Sequence, residues 1–297
     1  MTLTDEWKER AIPIERLGVV GCGLMGSGIA EAAARAGIGV RVVDVDAATL
    51  EKGRGRVSAS IRRAQSAGKM TDAEAEAAVG LIEFSTDLDS LSDRQMVVEA
   101  VVEAEAEKVA VFQALDTIVA APDAVLASNT SSIPIMKLAM ATTRPAQVIG
   151  IHFFNPVPVL PLVELVTSLL TGTQAVEVSE QFAADQLGKQ VIRSQDRAGF
   201  IVNALLIPYI LSAVRMLESG FATADDIDLG MVKGCAHPMG PLALADLIGL
   251  DTTVAVAHSL YDEFKEPLYA PPPLLARMVD AGLLGRKSGQ GFYSYST

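Results

Sequence analysis

Residues 17–28 read LGVVGCGLMGSG. A short apolar run, Leu17 to Val20, predicts a buried strand that leads into a glycine-rich turn. The alanine-rich segment after the turn predicts a helix that ends at Gly37. A second apolar run, VRVVD, follows at residues 40–44. This order indicates an α/β fold in which strands and helices alternate around a parallel sheet.

The glycines of the turn have the spacing GxGxxG, formed by Gly21, Gly23 and Gly26. In a dinucleotide-binding turn the first glycine allows the tight bend, the second lets the backbone approach the pyrophosphate, and the third lets the helix pack close. The N–H groups at the start of the helix favour the negative phosphates. Glycines also mark ordinary turns, but the flanking strand and helix favour the dinucleotide interpretation. We therefore predict cofactor contacts from the three glycines and from Leu24 and Met25 between them.

The second strand ends in an acid, Asp44. A carboxylate at this place accepts hydrogen bonds from the adenosine ribose and would repel a 2′-phosphate. The sequence therefore predicts NAD rather than NADP.

Further apolar runs predict four more strands, with helical segments between several of them: LIEF (81–84), MVVEAV (96–101), AVLAS (124–128) and QVIGI (147–151). Together they predict a doubly wound, Rossmann-type sheet, whose ligands bind beyond the carboxyl ends of the strands. Glu103, the segment Ser128 to Ser131, and His152 all follow such runs. Each alone fits a capping or turn residue, but their coincidence at one edge indicates a site.

His152 lies in IHFFNPVPVLPLVE, residues 151–164, which contains three prolines. Because proline lacks an N–H donor, a continuous helix is excluded here, and His152 cannot meet Glu164 as a helical neighbour. If the two side chains meet, the fold must bring them together. A histidine beside two phenylalanines often only packs, whereas a histidine paired with a carboxylate can act as a base.

Composition limits the function. The chain has 36 acidic and 24 basic residues, with a net charge of -12, which argues against a nucleic-acid binder. The charged N-terminus does not resemble a signal peptide, and no apolar run is long enough to span a membrane. Two distant cysteines, Cys22 and Cys235, indicate a reducing, cytoplasmic location and no metal site.

One segment departs from the acidic average. From Lys52 to Lys69, both included, there are six basic residues and no acid. They fit either a solvated helix face or a site for an anionic group of a ligand other than the cofactor.

After about Arg197 the pattern changes to helices. Three segments have apolar residues at helical spacing, with Gly220 as a predicted stop and Thr223 as a predicted N-cap. We predict domains over residues 1–197 and 198–297, the second all-helical. Its helices are apolar over much of their surface, and this favours a homodimer.

The chain resembles the 3-hydroxyacyl-CoA dehydrogenases, especially the short bacterial 3-hydroxybutyryl-CoA type. The matching segments span residues 17 to 293 in the family's order: GCGLMGSGIA, VVEAVVE, SNTSSI, HFFNPVPVLPLVE, GFIVN, HPMGPLALADLIGLDT and GRKSGQGFY. The resemblance implies a Rossmann-type domain followed by a helical, dimerising domain.

The resemblance also assigns roles. It implies that His152 is the general base, that Glu164 is its partner, and that Ser131 and Asn203 contact the substrate. The implied cofactor contacts are Glu103, Lys108, Ser131, Asn155 and Lys287. Ser60 and the basic run, with Arg63 and Lys69, resemble the place where the family holds CoA.

The expected function is hydride transfer between an (S)-3-hydroxyacyl-CoA, with 3-hydroxybutyryl-CoA favoured, and NAD. One alternative is an enzyme of the same architecture that acts on a carrier-protein-bound or free hydroxy acid. Another is a cofactor-binding protein without turnover, although Ser131, His152, Glu164 and Asn203 together argue against it.

Overall fold

The computed structural model of the protein describes residues 13–295. The chain divides into two compact units, Met1–Asp196 and Arg197–Thr297.

The first unit is built on an eight-stranded sheet with the order β3-β2-β1-β4-β5-β6-β7-β8. The strands are β1 (Arg16–Val20), β2 (Gly39–Val43), β3 (Ile82–Ser85), β4 (Met96–Glu99), β5 (Val125–Ser128), β6 (Val148–Phe153), β7 (Leu162–Thr167) and β8 (Gln190–Gln195). All neighbouring strands are parallel except β6 and β7, which are antiparallel. The α/β fold class and the six predicted strands are confirmed, whereas β7 and β8 were not predicted.

The helices of this unit follow its strands: α1 (Leu24–Arg35), α2 (Ala47–Ser66), α3 (Asp72–Gly80), α4 (Glu105–Ile118), α5 (Ile135–Ala139) and α6 (Thr173–Glu180). Local caps explain where two of them begin. The Asp46 carboxylate accepts a hydrogen bond from the Thr49 amide at the start of α2, and Thr71 and Glu74 form a reciprocal capping box at the start of α3.

The centre of the sheet is the core of the first unit. Every residue of β4, β5 and β6 is buried, and four of the five residues of β1 are buried. Parallel strands covered on both faces lose the polar–apolar alternation of half-exposed strands, so they read as continuous apolar runs. This explains why the central strands could be predicted from the sequence.

The second unit is helical, as predicted. Its helices are α7 (Val202–Glu218), α8 (Ala224–Gly234), α9 (Pro241–Ile248), α10 (Leu250–Phe264) and α11 (Pro273–Asp280). Gly220 adopts a φ of 69° just after α7, and the Thr223 hydroxyl accepts a hydrogen bond of 3.2 Å from the Asp226 amide, so both predicted signals are confirmed. The segment 241–264 is broken at Gly249, where φ is 103°.

The end of the second unit is held by a buried carboxylate. Asp246 on α9 is 1% exposed, and it accepts hydrogen bonds of 2.9 Å from the backbone amides of Phe292 and Tyr293 and from the Tyr295 hydroxyl. Burial, together with this carboxylate, raises the pKa of Tyr295 to about 12. These bonds fix the segment that carries Lys287 against α9.

Among residues 13–295, no single helix is long and apolar enough to cross a membrane. Taken together, α9 and α10 reach the required length and composition, but they are bent by 98° at their junction.

Candidate active site

His152 and Glu164 are paired across two strands. His152 on β6 lies directly opposite Glu164 on β7 in the antiparallel register. Directly opposite residues of such a pair project to the same face of the sheet. The His152 Nδ1 atom lies 2.6 Å from Glu164 Oε2, and the two residues are 6% and 0% exposed. The fold therefore brings together two side chains that no helix could join.

This pairing determines which ring nitrogen can act as a base. When Glu164 is ionised, its carboxylate can only accept hydrogen bonds, and His152 Nδ1 is then the donor in this pair. In the neutral ring the lone pair is then on Nε2, and protonation there gives an imidazolium that Glu164 stabilises. The Phe154 ring packs against the imidazole with centroids 4.6 Å apart, so packing and pairing occur together.

The loop that carries Ser131 is tied to His152's strand. Asn129 follows β5, and its Oδ1 atom accepts a hydrogen bond of 2.9 Å from the backbone amide of Phe153 on β6. This bond joins the residue next to His152 to the start of the Ser131 loop, residues 129–132. The predicted base and the predicted substrate contact therefore belong to one hydrogen-bonded edge.

Glu103 organises the same loop. Its Oε1 atom accepts hydrogen bonds from the backbone amides of Ser131 (2.9 Å) and Ser132 (3.1 Å) and from the hydroxyls of Thr130 (2.5 Å) and Ser132 (2.9 Å). Burial opposes ionisation, but the Lys108 ammonium and these loop donors hold the pKa of Glu103 below its usual value. Glu103 is thus an anion at the carboxyl edge of the sheet.

Lys108 lies behind Glu103 and is only 1% exposed. Its Nζ atom is 2.6 Å from Glu99 Oε1, 3.3 Å from Glu103 Oε2 and 3.4 Å from the carbonyl oxygen of Val101. These three acceptors match the three donors of an ammonium group. The cofactor contact implied for Lys108 stays a prediction.

The glycine-rich turn has the geometry that each glycine was predicted to supply. Gly21 has a φ of 98°, which favours glycine, and a Cβ atom on Gly26 would lie 1.9 Å from the carbonyl oxygen of Gly21. A Cβ atom on Gly23 would meet no atom within 4 Å. The space at Gly23 is open, as the close approach of a pyrophosphate requires.

Asp44 is positioned beside this turn. Its Oδ2 atom accepts a hydrogen bond of 2.6 Å from the backbone amide of Cys22, and Oδ1 accepts one of 2.7 Å from the Val45 amide. The same residue of the turn, Cys22, is also held through its carbonyl oxygen, which accepts a hydrogen bond from Arg56 of α2. A carboxylate has about four lone-pair sites, so Asp44 can hold the turn and still bind ribose hydroxyls.

A pocket lies between α1, α2 and the proline-rich loop after β6. It has an empty volume of about 560 Å³, part of it open to solvent. Of the residues predicted to bind ligands, the pocket brings together four: Leu24, Ser60, Arg63 and Asn155. The wall also contains Glu31, which is 1% exposed, and burial raises the pKa of its carboxyl group.

Some predicted residues lie elsewhere. Lys69 is exposed after the end of α2 and does not line this pocket. Asn203 and Lys287 belong to the second unit, where Asn203 is the second residue of α7 and Lys287 Nζ lies 2.5 Å from the Asp251 carboxylate. Their contacts with substrate and cofactor stay predictions.

Sequence reasoning missed Glu99. It placed Ser128 and Asn129 at the site only as members of the segment 128–131, although each of the three is hydrogen-bonded to the loop or its support. A polar residue at or just after the end of an apolar strand is the signal that marks Ser128 and Asn129, whereas Glu99 lies inside the predicted run 96–101 and gave no such signal. Within residues 13–295, no group of three or more His, Cys, Asp or Glu side chains is placed to hold a metal ion.

Comparison with known proteins agrees with this geometry. Residues 16–197 match the sequence model of the 3-hydroxyacyl-CoA dehydrogenase NAD binding domain, and residues 199–295 match that of the C-terminal domain of the same enzymes. The chain belongs to the 3-hydroxyacyl-CoA dehydrogenase family. As a 3-hydroxyacyl-CoA dehydrogenase it is an NAD-dependent oxidoreductase, and the prediction of NAD as cofactor is confirmed.

Individual proteins are similar to this chain over nearly its full length. The 3-hydroxybutyryl-CoA dehydrogenase of Mycobacterium tuberculosis H37Rv is 61% identical over 282 residues, covering 95% of this chain and 99% of the relative. The crystal structure of FadB2 from M. tuberculosis has a TM-score of 0.95 and 60% identity, covering 96% of this chain and 100% of that one. The (S)-3-hydroxybutyryl-CoA dehydrogenase PaaH1 of Ralstonia eutropha has a TM-score of 0.90 and 45% identity, with the same two coverages.

Proposed function

We propose that this protein oxidises (S)-3-hydroxybutyryl-CoA to the 3-ketoacyl-CoA with NAD, and that His152 is the general base. The observation that carries the proposal is the buried His152–Glu164 pair at the edge of the sheet where Asn129 joins it to the Ser131 loop. The 61% identity to a 3-hydroxybutyryl-CoA dehydrogenase supports the short acyl chain.

His152 removes the proton of the reacting alcohol. When bound, NAD supplies the acceptor for the hydride that leaves the hydroxyl-bearing carbon. The hydroxyl proton passes to His152 Nε2, because Nδ1 is committed to Glu164. Glu164 then stabilises the imidazolium, as the acid of a hydrolase triad does.

The remaining predicted contacts belong to the same proposal. Ser131 donates or accepts a hydrogen bond at the substrate oxygen, and Asn203 is a second polar contact to the substrate. Glu103, Asn155 and Lys287 hold the cofactor together with the glycine-rich turn and Asp44, and Lys108 supports Glu103 from behind. The open space at Gly23 fits the pyrophosphate of NAD.

The pocket beside α2 suits a CoA thioester. Its walls combine apolar groups, such as Val57 and Pro158, with the guanidinium groups of Arg56 and Arg63. Such walls fit a ligand that has both a flexible arm of low charge and anionic groups. A free hydroxy acid lacks the arm, and a carrier protein's phosphopantetheine shares only part of these contacts.

Replacing Arg63 with alanine is expected to raise KM for 3-hydroxybutyryl-CoA several-fold and to leave KM for NAD nearly unchanged. Arg63 lines the pocket, and a charge-assisted hydrogen bond contributes roughly 1.5–3 kcal/mol at most in such a site. Arg62→Ala is the matched control, because Arg62 directly precedes Arg63, is also exposed, and does not line the pocket. Equal effects of the two substitutions would mean that the basic run only shapes the general field.

The substrate class is tested by NADH formation with a series of 3-hydroxyacyl-CoA thioesters, the matching free acids and the matching thioesters on a carrier protein. We expect the four-carbon CoA thioester to have the highest kcat/KM. If the free acid or the carrier thioester had a higher kcat/KM, that compound would be the substrate instead. If none of these compounds gave NADH, dehydrogenase activity would be contradicted.

We also propose a cytoplasmic homodimer that forms through the second unit. Several large apolar side chains of that unit are exposed: Leu205 (72%), Phe221 (79%), Leu229 (57%) and Leu247 (49%). Symmetric dimers are the commonest way to cover such a surface. Sedimentation equilibrium should give about twice the chain mass of 31.3 kDa, and a monomer at micromolar concentration would contradict the dimer.

A further inference from the structure

A buried cluster of two carboxylates and one ammonium lies behind the Ser131 loop. The carboxylate–lysine cluster consists of Glu99, Glu103 and Lys108. Glu99 is the last residue of β4 and is 0% exposed, and Lys108 is 1% exposed. About a third of the Glu103 side chain, 33%, is exposed, so this carboxylate faces the site while the other two groups are enclosed.

The two carboxylates share the lysine unequally. Lys108 Nζ is 2.6 Å from Glu99 Oε1 but 3.3 Å from Glu103 Oε2. Glu103 instead directs Oε1 to the loop, where the amides of Ser131 and Ser132 donate to it. Glu99 thus neutralises the buried ammonium at close range, and Glu103 remains available to the loop.

Glu99 also reaches the loop by a second path. Its Oε2 atom accepts a hydrogen bond of 2.7 Å from the Ser128 hydroxyl, and the Ser128 oxygen accepts one of 3.2 Å from the Thr130 amide. Glu99 and Ser128 are direct neighbours in the parallel register of β4 and β5. The same carboxylate therefore fixes the end of β5, from which the loop departs.

Removing the charge of Glu99 would change this balance. A buried ammonium without a close counter-ion is strongly disfavoured. Lys108 would therefore form a closer ion pair with the nearest remaining carboxylate, which is Glu103. If both carboxylate oxygens of Glu103 bound Lys108 Nζ, Oε1 could no longer accept all of its hydrogen bonds from the loop. The Ser131 and Ser132 amides would then lose an anionic acceptor.

We infer that Glu99 is a positioning residue, which holds Lys108 so that Glu103 stays on the Ser131 loop and keeps Ser131 in place for the substrate. The last step, from the loop to the substrate, rests on the proposed function. The first steps concern only the protein.

The test is hydrogen exchange of a peptide that covers residues 129–133, measured by mass spectrometry on the full chain. Glu99→Gln keeps the size and removes the charge. We expect amide exchange in this segment to accelerate on the order of tenfold, as for the loss of hydrogen bonds to a charged group. Glu107→Gln is the matched control, since it removes the same charge from an exposed position on α4 next to Lys108.

The double variant Glu99→Gln/Lys108→Gln separates charge balance from simple loss of contacts. Without the ammonium, no cation in the cluster competes with the loop for Glu103. Amide exchange of the loop should therefore return to within about twofold of the rate in the unmodified protein. If Glu99→Gln acted only through lost contacts, exchange would stay fast in the double variant. If Glu99→Gln does not fold, the exchange rate of the loop in the double variant alone tests the inference. Unchanged exchange in folded Glu99→Gln, or fast exchange in the double variant, would overturn the inference.

Turnover distinguishes this inference from the proposed function. We expect kcat of Glu99→Gln to fall by about tenfold, in proportion to the exchange of the loop, while Glu107→Gln keeps the kcat of the unmodified protein. Faster loop exchange in Glu99→Gln with an unchanged kcat would support the positioning of the loop by Glu99 and contradict the role proposed for Ser131.

Discussion

Replacing His152 with alanine is expected to lower kcat by roughly two to four orders of magnitude, the range for a general acid–base group. The affinity for NAD should change little, because the base acts on the substrate hydroxyl. His258→Ala is the matched control, since His258 is exposed on α10. Turnover with 3-hydroxybutyryl-CoA gives kcat, and NAD titration gives the affinity. A near-normal kcat for His152→Ala would return this histidine to a packing role beside Phe154.

Glu164→Gln should also slow turnover, because glutamine keeps the size of the side chain but removes the charge that stabilises the imidazolium. Glu164 Oε2 lies 2.6 Å from His152 Nδ1, so we expect the two side chains to act as a unit. Effects within such a unit are not additive. The double variant His152→Ala/Glu164→Gln should therefore be hardly slower than His152→Ala. If the two losses multiplied independently, Glu164 would have a separate role.

The His152–Glu164 pair shows what sequence could and could not supply. The three prolines of 151–164 excluded a helix, and the family resemblance implied a partnership. The contact itself depends on the antiparallel pairing of β6 and β7, which was not predicted. LVELVT is nearly as apolar as MVVEAV, which was predicted to be a strand, but it lies at the end of the proline-rich stretch, and this stretch indicated only that no helix forms.

The eighth strand was missed for a different reason. β8 reads QVIRSQ, pairs only with β7 in the sheet order, and is exposed or half-buried along its whole length. An edge strand contacts the core on few positions, so polar residues are tolerated and the apolar signal is weak.

The groups behind the site were harder to predict than its contacts. Glu99 lies inside the run MVVEAV, where a carboxylate has no evident partner along the chain. Its burial is explained by the Val101 amide, by Lys108 on α4 and by Ser128 on the neighbouring strand, all of which are bonded to its carboxylate. Periodicity identifies strands and helices, but it does not show which buried polar groups satisfy one another.

The basic run on α2 is an intermediate case. Its charges were visible, but the sequence left open whether they formed a solvated face or a site. In the structure α2 directs Arg56, Ser60 and Arg63 to the pocket, with spacings of four and three residues along the helix, while Arg62 and Lys69 lie outside it. Once the first residue of α2 is known, helical spacing distinguishes the side chains that face the pocket from those that face solvent.

Gly23→Ala is expected to raise Kd for NAD by about tenfold or more, equivalent to ~1.4 kcal/mol. The alanine can adopt the backbone of this residue, since Gly23 has a φ of -68°, and its Cβ atom would meet no protein atom within 4 Å. The methyl group would instead occupy the space through which a pyrophosphate approaches the backbone. Without NAD the variant should remain folded, because alanine in place of glycine at this N-cap costs at most about 1 kcal/mol.

Thermal unfolding with and without NAD measures both effects, because a ligand that binds only the folded protein raises Tm according to its affinity. Gly55→Ala is the control: Gly55 lies inside α2, where an added Cβ atom also meets nothing, so this variant should be slightly more stable and should bind NAD normally. Gly21→Ala should lose both stability and binding, because its φ is 98° and its Cβ atom would lie 2.5 Å from the carbonyl oxygen of Ala100. A Gly23→Ala protein with the original Kd would show that the pyrophosphate does not approach the chain at Gly23.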